Sequence, residues 1–498
     1  MDIFLSALAM LTDPLVFGLL VAGTIGGIII GALPGLGSIM GITMALPLTF
    51  VLSPAASLGL LLGIYCGSVF GGAISAILIN TPGTPQSAAT LLDGYPMARA
   101  GKASEAIGWA TVASAAGGVI ATLIFLVAAP TLASFGLMFG PIEYFALGVF
   151  ALTCLAAVSR ENVIKGLLAG LLGLFVATVG QDSITGAPRF SFGSYQLYGG
   201  VGLVPILVGL FALSEVFERM SERIEHATSI TGKAGFHLPG LRDMYQRKFV
   251  FLKASIIGAG IGILPGIGAA ASSMVAYAQA KRSSPNRENF GKGEPDGVIA
   301  SEAANNAVTA GAMIPTLSLG VPGDPITAIM LGAMTIQGVI PGPNFFVNEA
   351  DLGFFVFLAL IVSSLALIPF TALLSPLVAR LIKAPEPILF GGVVVLVMIG
   401  TFSISYNYLD LLVAFLSGIV GYVLRRNGIP LAPIVIGFVL GPMVESSLRQ
   451  GMILTQGDFW AFFKSPIASI LFAVTALSLV MPLWSARRLR RNAQTQNR

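Results

Sequence analysis

The chain has little charge for its length. Only 10% of its 498 residues are charged, with 27 Lys and Arg and 23 Asp and Glu, while 55% are hydrophobic. Soluble domains carry about a quarter charged residues, so the composition excludes an ordinary soluble protein. Apolar runs near the ~20 residues that cross a bilayer recur along the chain, as at 106–128 and 354–379. The sequence therefore predicts an all-α polytopic membrane protein in a lipid bilayer.

Residues that support catalysis are also scarce. The two histidines, His226 and His237, lie in a polar stretch, and no His-Glu-x-x-His motif occurs. A phosphate-binding Gly-x-x-x-x-Gly-Lys-Ser/Thr loop is missing as well. The two cysteines, Cys66 and Cys154, lie in apolar runs and are predicted to be small core residues. We expect no enzyme activity, no nucleic-acid binding and no cofactor beyond a coupling ion, Na⁺ or H⁺.

Positive charge is confined to a few connections. No Lys or Arg precedes Arg99, which argues against a cleavable signal peptide. Because Lys and Arg collect in cytoplasmic loops, we expect the basic connections and the C-terminus to be cytoplasmic. The predicted organisation is a first transmembrane half over 1–215, a cytoplasmic polar linker over 216–253, a second transmembrane half over 254–486 and a basic tail over 487–498.

Two short Gly-Pro patterns occur twice, in the same order. GALPGLG at 31–37 recurs as GILPGIG at 262–268, and these copies are followed by NTPGTP at 80–85 and GVPGDP at 320–325. One such pattern would only kink a helix. Irregular backbone inside a membrane is tolerated where it lines a cavity, and paired interruptions in two halves point to a transporter's binding site. We therefore predict a functional cavity at these breaks.

Flanking charges predict how the broken segments enter the membrane. Lys253 and Lys281 should both be cytoplasmic, so 254–280 is predicted to be a re-entrant hairpin, and 15–50 a hairpin from the other side. The fold is then two inverted repeats of about 11–12 transmembrane segments. Alternatively, each hairpin crosses fully as two short helices, which leaves both chain ends where they were. Broken crossings are expected at 58–98 and 300–340, and simple crossings at 106–128, 141–158, 163–180, 200–216, 354–379, 387–402, 405–424, 429–445 and 466–485.

The breaks suggest an anion site. Thr84-Pro85 and Asp324-Pro325 have the pattern of a helix start, and a helix N-terminus favours a carboxylate. Glycines let a ligand approach the backbone closely. No Lys or Arg lies within these segments, so we expect recognition by backbone dipoles and amides. The candidate substrate-binding residues are Gly35, Gly37, Ser38, Asn80, Thr81, Pro82, Gly83, Thr84, Gly266, Gly268, Asn305, Asn306, Pro322 and Gly323.

Two acids, Asp324 and Glu302, lie in the second half where the first half has neutral residues. An intramembrane carboxylate is a candidate for proton or cation binding. Both are predicted ion-coupling residues, with a Na⁺ site near Asp324. The alternatives are that Asp324 only caps a helix and that Glu302 lies at the cytoplasmic interface.

Longer motifs surround these residues. GGAI at 71–74 leading to NTPGTP at 80–85 and DGYP at 93–96, with SEAANNA at 301–307 and PTLSLGVPGDP at 315–325, closely resembles the large membrane subunit of tripartite tricarboxylate transporters. The resemblance implies a bacterial inner-membrane carrier that imports a citrate-like carboxylate, driven by an ion gradient. It also implies two partners, a periplasmic solute-binding protein and a small membrane subunit of four helices. The alternative is an organic-anion channel or exporter without ion coupling.

Overall fold

The computed structural model describes residues 2–158, 163–182, 184–221, 235–265, 268–382 and 386–479. The first helices are α1 (Asp2–Thr12), α2 (Pro14–Ala32), α3 (Gly37–Thr49), α4 (Pro54–Ile79), α5 (Leu91–Met97), α6 (Ala103–Gly136), α7 (Pro141–Val158), α8 (Val163–Ala177), α9 (Leu203–Leu207) and α10 (Ser214–Ser221). A small antiparallel pair, β1 (Gly180–Gln181) and β2 (Pro188–Arg189), follows α8.

The later helices are α11 (Leu241–Gln246), α12 (Lys248–Ile263), α13 (Gly268–Ser283), α14 (Pro295–Leu319), α15 (Pro325–Ile336), α16 (Phe345–Asn348), α17 (Ala350–Leu381), α18 (Glu386–Ser405), α19 (Tyr408–Arg426), α20 (Ala432–Leu454) and α21 (Pro466–Leu479). Short 3-10 helices form at Pro85–Ala89, Tyr195–Leu197, Arg287–Asn289 and Phe459–Phe463, and π-helical turns at Ala98–Lys102 and Val208–Leu213.

The predicted helical membrane protein is confirmed. Six helical segments of the described chain are long and apolar enough to cross a membrane, namely Pro14–Ala32, Pro54–Ile79, Leu91–Gly136, Ala350–Leu381, Tyr408–Arg426 and Ala432–Leu454. The other predicted crossings that the structure describes are also helical. The total of about 11–12 crossings stays a prediction. Gly266, residues 222–234 of the linker and the basic tail lie outside the described residues.

The helix breaks occur where the repeated patterns predict them. Leu33 ends α2 with φ −85° and ψ 114°, and Leu264 ends α12 with φ −84° and ψ 114°. Asn80 ends α4 and Gly320 ends α14, both with left-handed backbone, at φ 55° and φ 70°. The two copies of each pattern therefore adopt matching backbone conformations at these four positions.

Small residues let the long helices pack closely. A Cβ added at Gly23 would lie 2.4 Å from the carbonyl oxygen of Leu60, and one at Gly31 would lie 2.1 Å from that of Ser68. The contact partner on α4 thus advances with position on α2, so the two helices are parallel. α12 is parallel to α14 in the same way, because a Cβ at Gly258 would lie 2.4 Å from the carbonyl oxygen of Ala304 and one at Gly262 would lie 2.9 Å from Gly311.

The two helix pairs run in opposite directions. Asn305 Nδ2 on α14 donates to the carbonyl oxygen of Val69 on α4 at 3.1 Å, and Thr309 on α14 is hydrogen-bonded to Cys66 on α4. Later residues of α4 therefore contact earlier residues of α14, so these two helices are antiparallel. This arrangement is what an inverted repeat requires, although the repeat itself stays a prediction.

After the second break of each half, the chain forms hydrogen bonds to the start of the long helix of the other half. Gln337 Nε2, just after α15, donates to Ser57 Oγ near the start of α4 at 2.5 Å. Asp93, on α5, accepts the backbone N–H groups of Gly291, Gly293 and Glu294 at 2.8–2.9 Å, just before α14 begins. The two halves are thus interlocked through hydrogen bonds at both ends.

An ion cluster holds the loop between α8 and α9. Asp182 pairs with Arg449 on α20 at 2.7 Å and lies 3.6 Å from Arg189 on β2. The backbone N–H groups of Thr185 and Ile184 and the Arg449 guanidinium lower the pKa of Asp182 below its ordinary value. The loop is therefore anchored to α20 by a carboxylate that stays ionised.

Candidate functional site

The two breaks of the first half meet in space. After α4 the chain folds back, and the Gly83 N–H donates to the carbonyl oxygen of Gly72 at 3.3 Å. A Cβ at Gly83 would lie 2.1 Å from the carbonyl oxygen of Gly31, just ahead of the first Leu-Pro-Gly. Packing therefore requires glycine at position 83, because the protein's own backbone fills the space that a side chain would need.

A cavity of about 340 Å³ opens between these two breaks, and we refer to it as the break cavity. Five predicted substrate-binding residues line it, Gly35, Gly37, Ser38, Pro82 and Gly83. Pro85, Gln86 and Phe211 also line it, together with the charged side chains of Glu215, Arg219 and Arg425. Segments far apart in the chain thus meet around one space.

Two polar atoms at the break cavity lack a partner in the described structure. Ser38 Oγ is buried and makes no hydrogen bond, and Gln86 Oε1 is likewise buried and unpaired among the described residues. Ser38 is only 3% exposed. Buried polar groups are normally hydrogen-bonded, so unpaired ones at a cavity point to a ligand or water that would complete them.

Four charged side chains lie beside the break cavity, and we call them the arginine cluster: Glu215, Glu218, Arg219 and Arg425. Arg219 Nε donates to Glu215 Oε1 at 3.2 Å. Arg425 Nη1 donates to Glu215 and also, at 2.8 Å, to Glu218 Oε2. The Arg219 guanidinium covers Gly35, where a Cβ would lie 2.7 Å from Nη2. Gly35, at φ 90°, is therefore a position where a side chain would be both strained and blocked.

The sequence does not predict these arginines at the site. It favours anion recognition without Lys or Arg, because none occurs within the broken segments. Arg219 and Arg425 come instead from the ends of α10 and α19, where their positions in the sequence indicate only the cytoplasmic side. The one indication in the sequence is that Glu215 and Arg219 lie four residues apart, the spacing at which acids and bases pair on a helix.

The second half places its acid at a helix start. Asp324 Oδ1 accepts the Thr327 backbone N–H at 2.7 Å, and Thr327 Oγ1 accepts the Asp324 backbone N–H at 3.0 Å, a capping box. Tyr65 Oη on α4 donates to Asp324 Oδ2. Thr84, its counterpart, makes no side-chain cap and begins only a 3-10 helix of five residues. The two predicted helix starts therefore differ, and only Asp324 begins a 12-residue α-helix.

The other predicted residues of the second half pack inside the protein. Gly323 N donates to Thr316 Oγ1 at 3.3 Å, and a Cβ at Gly323 would lie 2.7 Å from the Ala312 Cα. Pro322 is also buried, and Gly268 begins α13. Asn306 Nδ2 is buried without a partner among the described residues.

Two predicted residues of the first half, Asn80 and Thr81, are less buried and, in the described structure, lie outside the break cavity lining.

Glu302 is fully buried on α14. Its Oε1 accepts a hydrogen bond from Thr90 Oγ1, and its Oε2 accepts from Ser114 Oγ at 3.1 Å and from Asn305 Nδ2 at 3.4 Å. Neutral donors from three different segments therefore converge on this carboxyl group.

Comparison with protein families decides the class of this membrane protein. The model of the tripartite tricarboxylate transporter TctA family matches residues 17–436. The chain belongs to this family. As a TctA-family protein it is a multi-pass membrane component of a transporter rather than an enzyme, and the tripartite system implies two partner subunits. The resemblance noted in the sequence is confirmed.

Two relatives come from Agrobacterium vitis. One, a 52.8 kDa protein encoded in the TAR-I region 3′ of ttuC′, is 38% identical over 470 residues, covering 94% of this chain and 93% of the relative. The other, encoded in the TAR-II region 3′ of ttuC′, is 35% identical over 235 residues, covering 47% of this chain and 97% of the relative. No solved structure matches the chain.

Proposed function

We propose that the chain is the ion-gradient-driven subunit of a bacterial inner-membrane carrier that imports a tricarboxylate such as citrate, through the break cavity. The observation that carries this proposal is the meeting of the two Gly-Pro breaks of the first half around a space lined by Arg219 and Arg425. Family membership supports tricarboxylate transport. The proposal includes substrate delivery by a periplasmic solute-binding protein and assembly with a small four-helix subunit, and the tripartite organisation of the family supports both.

The lining of the break cavity suits a carboxylate. Guanidinium groups bind carboxylates through two parallel hydrogen bonds, which are stronger than neutral ones. Glu215 accepts hydrogen bonds from both Arg219 and Arg425. An incoming carboxylate would therefore bind these two guanidinium groups together with Glu215 or in its place. Ser38 Oγ would then donate to a second substrate oxygen, and the Gln86 side chain, whose Oε1 is unpaired, would contact the substrate hydroxyl. Recognition would rest on side chains as well as on backbone N–H groups.

Alternating access is proposed to come from the two oppositely running helix pairs. Broken helices that meet near the middle of a membrane protein are a feature of carriers built from inverted repeats. In this proposal the driving ion binds at Glu302 or Asp324, and the C-terminus is cytoplasmic. The polar linker and the basic connections then lie on the cytoplasmic surface.

Reconstitution tests the proposal. The chain is placed in proteoliposomes with its small membrane partner, the binding protein is added outside, and uptake of radiolabelled citrate is measured with and without imposed Na⁺ and proton gradients. We expect saturable accumulation that requires the binding protein and one of the gradients. Citrate entry that is never concentrative, under any gradient, would instead support a channel.

A further inference from the structure

Glu302 is the centre of a buried polar group, the Glu302 cluster, made of Glu302, Thr90, Ser114, Ser301 and Asn305. All five residues are at most 1% exposed. They come from α14, from α6 and from the short connection between the Pro85–Ala89 helix and α5. Thr90 Oγ1 also lies 3.1 Å from Ser301 Oγ, which donates to the carbonyl oxygen of Gly297 at 3.0 Å. The cluster is thus a continuous chain of oxygens.

No positive group accompanies this carboxyl. Every hydrogen bond to Glu302 in the described structure comes from a hydroxyl or an amide, and it forms no ion pair there. Burying an ionised carboxylate without a counter-charge costs much free energy, whereas binding one monovalent cation removes that cost. The site therefore lacks one positive charge.

An unpaired acceptor lies in the same cluster. Asn305 Oδ1 is buried with no hydrogen-bond partner among the described residues, while Asn305 Nδ2 donates to the carbonyl oxygen of Val69. Asn305 is 0% exposed. The nitrogen of this amide also lies 3.4 Å from Glu302 Oε2, so the unpaired oxygen belongs to a group in direct contact with the carboxyl. A cation bound at the cluster would supply the partner that this acceptor lacks.

Asp324 differs in this respect. Its two carboxyl oxygens accept from the Thr327 N–H and from Tyr65 Oη, and it begins an α-helix whose N-terminus carries partial positive charge. That arrangement already compensates the charge of Asp324.

From this contrast we infer that the Glu302 cluster is the binding site of the driving cation, Na⁺ or H⁺. The inference rests on the proposed function. Thr90 follows Gln86 by one helical turn, and Gln86 lines the break cavity. A cation held between Glu302 and Thr90 would therefore fix the segment that contacts the substrate, and so link ion binding to substrate binding.

Other ionisable groups on the neighbouring elements are engaged elsewhere. Asp93, on α5, accepts from Tyr277 on α13 and from backbone N–H groups. Asp296, on α14 itself, pairs with Arg247. On α4, Tyr65 binds Asp324 and Cys66 is hydrogen-bonded to Thr309. Glu105 on α6 lies near Lys102, and Lys253 on α12 is exposed.

The test measures cation binding by the purified full chain without citrate and without partner subunits. Thermal unfolding is followed in NaCl against choline chloride at constant ionic strength, and separately in choline chloride across a pH series. A cation that binds the folded protein raises the melting temperature with its concentration. Wild type should respond to Na⁺ if Na⁺ is the ligand, or to falling pH if the proton is.

Glu302→Gln, which keeps the shape of the side chain, should abolish the response that wild type shows. Asp324→Asn should keep it, as the matched carboxyl variant. Thr90→Val and Ser114→Ala retain the carboxyl but remove a hydroxyl that donates to it. If Na⁺ is the ligand, the lost hydroxyl oxygen should weaken the apparent Na⁺ affinity about tenfold. If the proton is the ligand, the response should instead move to higher pH, because the ionised carboxyl has lost a donor. These two variants also decide the matter should Glu302→Gln fail to fold.

The inference would be overturned by a wild-type protein that responds to neither cation, by a Glu302→Gln protein that keeps the full response, or by an Asp324→Asn protein that loses it. Unchanged cation affinity in both Thr90→Val and Ser114→Ala would also overturn it. Because the melting assay contains no citrate, its result does not depend on citrate uptake. The proposed cation site and the proposed transport of citrate can therefore fail independently of each other.

Discussion

Replacing Arg425 by Gln tests the role of the arginine cluster in substrate binding. Arg425 is the one member that pairs with both acids, Glu215 and Glu218, and its side chain is 27% exposed at the edge of the break cavity. Gln keeps an amide at the same place but removes the charge. The cluster then changes from two positive and two negative side chains to one positive and two negative, which repels an incoming carboxylate.

The size of the effect follows from these contacts. A hydrogen bond to a charged group contributes about 1.5–3 kcal/mol, which corresponds to an affinity loss of about 10- to 150-fold. Water reaches Arg425, so we expect the lower end, about tenfold. Folding should survive, because Glu215 keeps Arg219 and the acid left unpaired, Glu218, is 33% exposed, which costs about 1 kcal/mol.

Arg426 provides the matched control. It is the next residue on α19, is exposed, and donates only to Tyr422 Oη at 3.0 Å in the described structure. The concentration of citrate-loaded binding protein that gives half-maximal uptake should rise about tenfold in Arg425→Gln and stay unchanged in Arg426→Gln. Equal half-maximal concentrations in wild type and both variants would refute a substrate role for the arginine cluster.

Three further predictions concern packing, pH and topology. Gly27→Ala should lower the melting temperature, because the new Cβ would lie 2.6 Å from a backbone oxygen at a cost of about 1–3 kcal/mol, whereas Gly26→Ala, with open space around it, should not. The lowered pKa of Asp182 means that its contribution to stability is present above the unfolded value of about 3.9 and is lost only as pH falls through the lower folded value. Proteolysis of the loop between α8 and α9 should therefore be equally slow at pH 7 and pH 5 in the wild type. At pH 7 the loop should be cleaved faster in Asp182→Asn than in the wild type, and equal cleavage rates in the two proteins would contradict this. Single cysteines at positions 54 and 286 should react with an impermeant thiol reagent from opposite faces, and labelling from one face would disprove the inverted arrangement.

The helix breaks could be predicted from the sequence because their cause is local. Gly and Pro disfavour helix through their own backbone preferences, so Leu-Pro-Gly at residues 33–35 indicates an interruption wherever the chain goes afterwards. Capping by Asp324 could be predicted for the same reason, since the acid and the following Pro are adjacent. The sequence allows Asp324 to be a cap, a coupling residue or both; the structure shows the cap, and the coupling role stays a prediction.

The composition of the break cavity could not be predicted, because it depends on contacts between distant segments. Gly35, Arg219 and Arg425 are separated by about two hundred residues at each step, and only the packing of α10 and α19 brings them together. The contact between Gly83 and Gly31 is also a tertiary effect. A glycine in a sequence is compatible with open space as much as with close packing.

Substrate protection at Ser38 would show directly whether the substrate passes through the break cavity. Ser38 lines the break cavity, and its buried Oγ is unpaired in the described structure. In a Ser38→Cys variant that still transports, with the native Cys66 and Cys154 replaced, the rate of modification by a small thiol reagent is measured with and without citrate-loaded binding protein. Citrate is expected to slow the modification in proportion to the occupancy of the carrier. Equal modification rates at saturating uptake would show that the substrate does not pass through the break cavity.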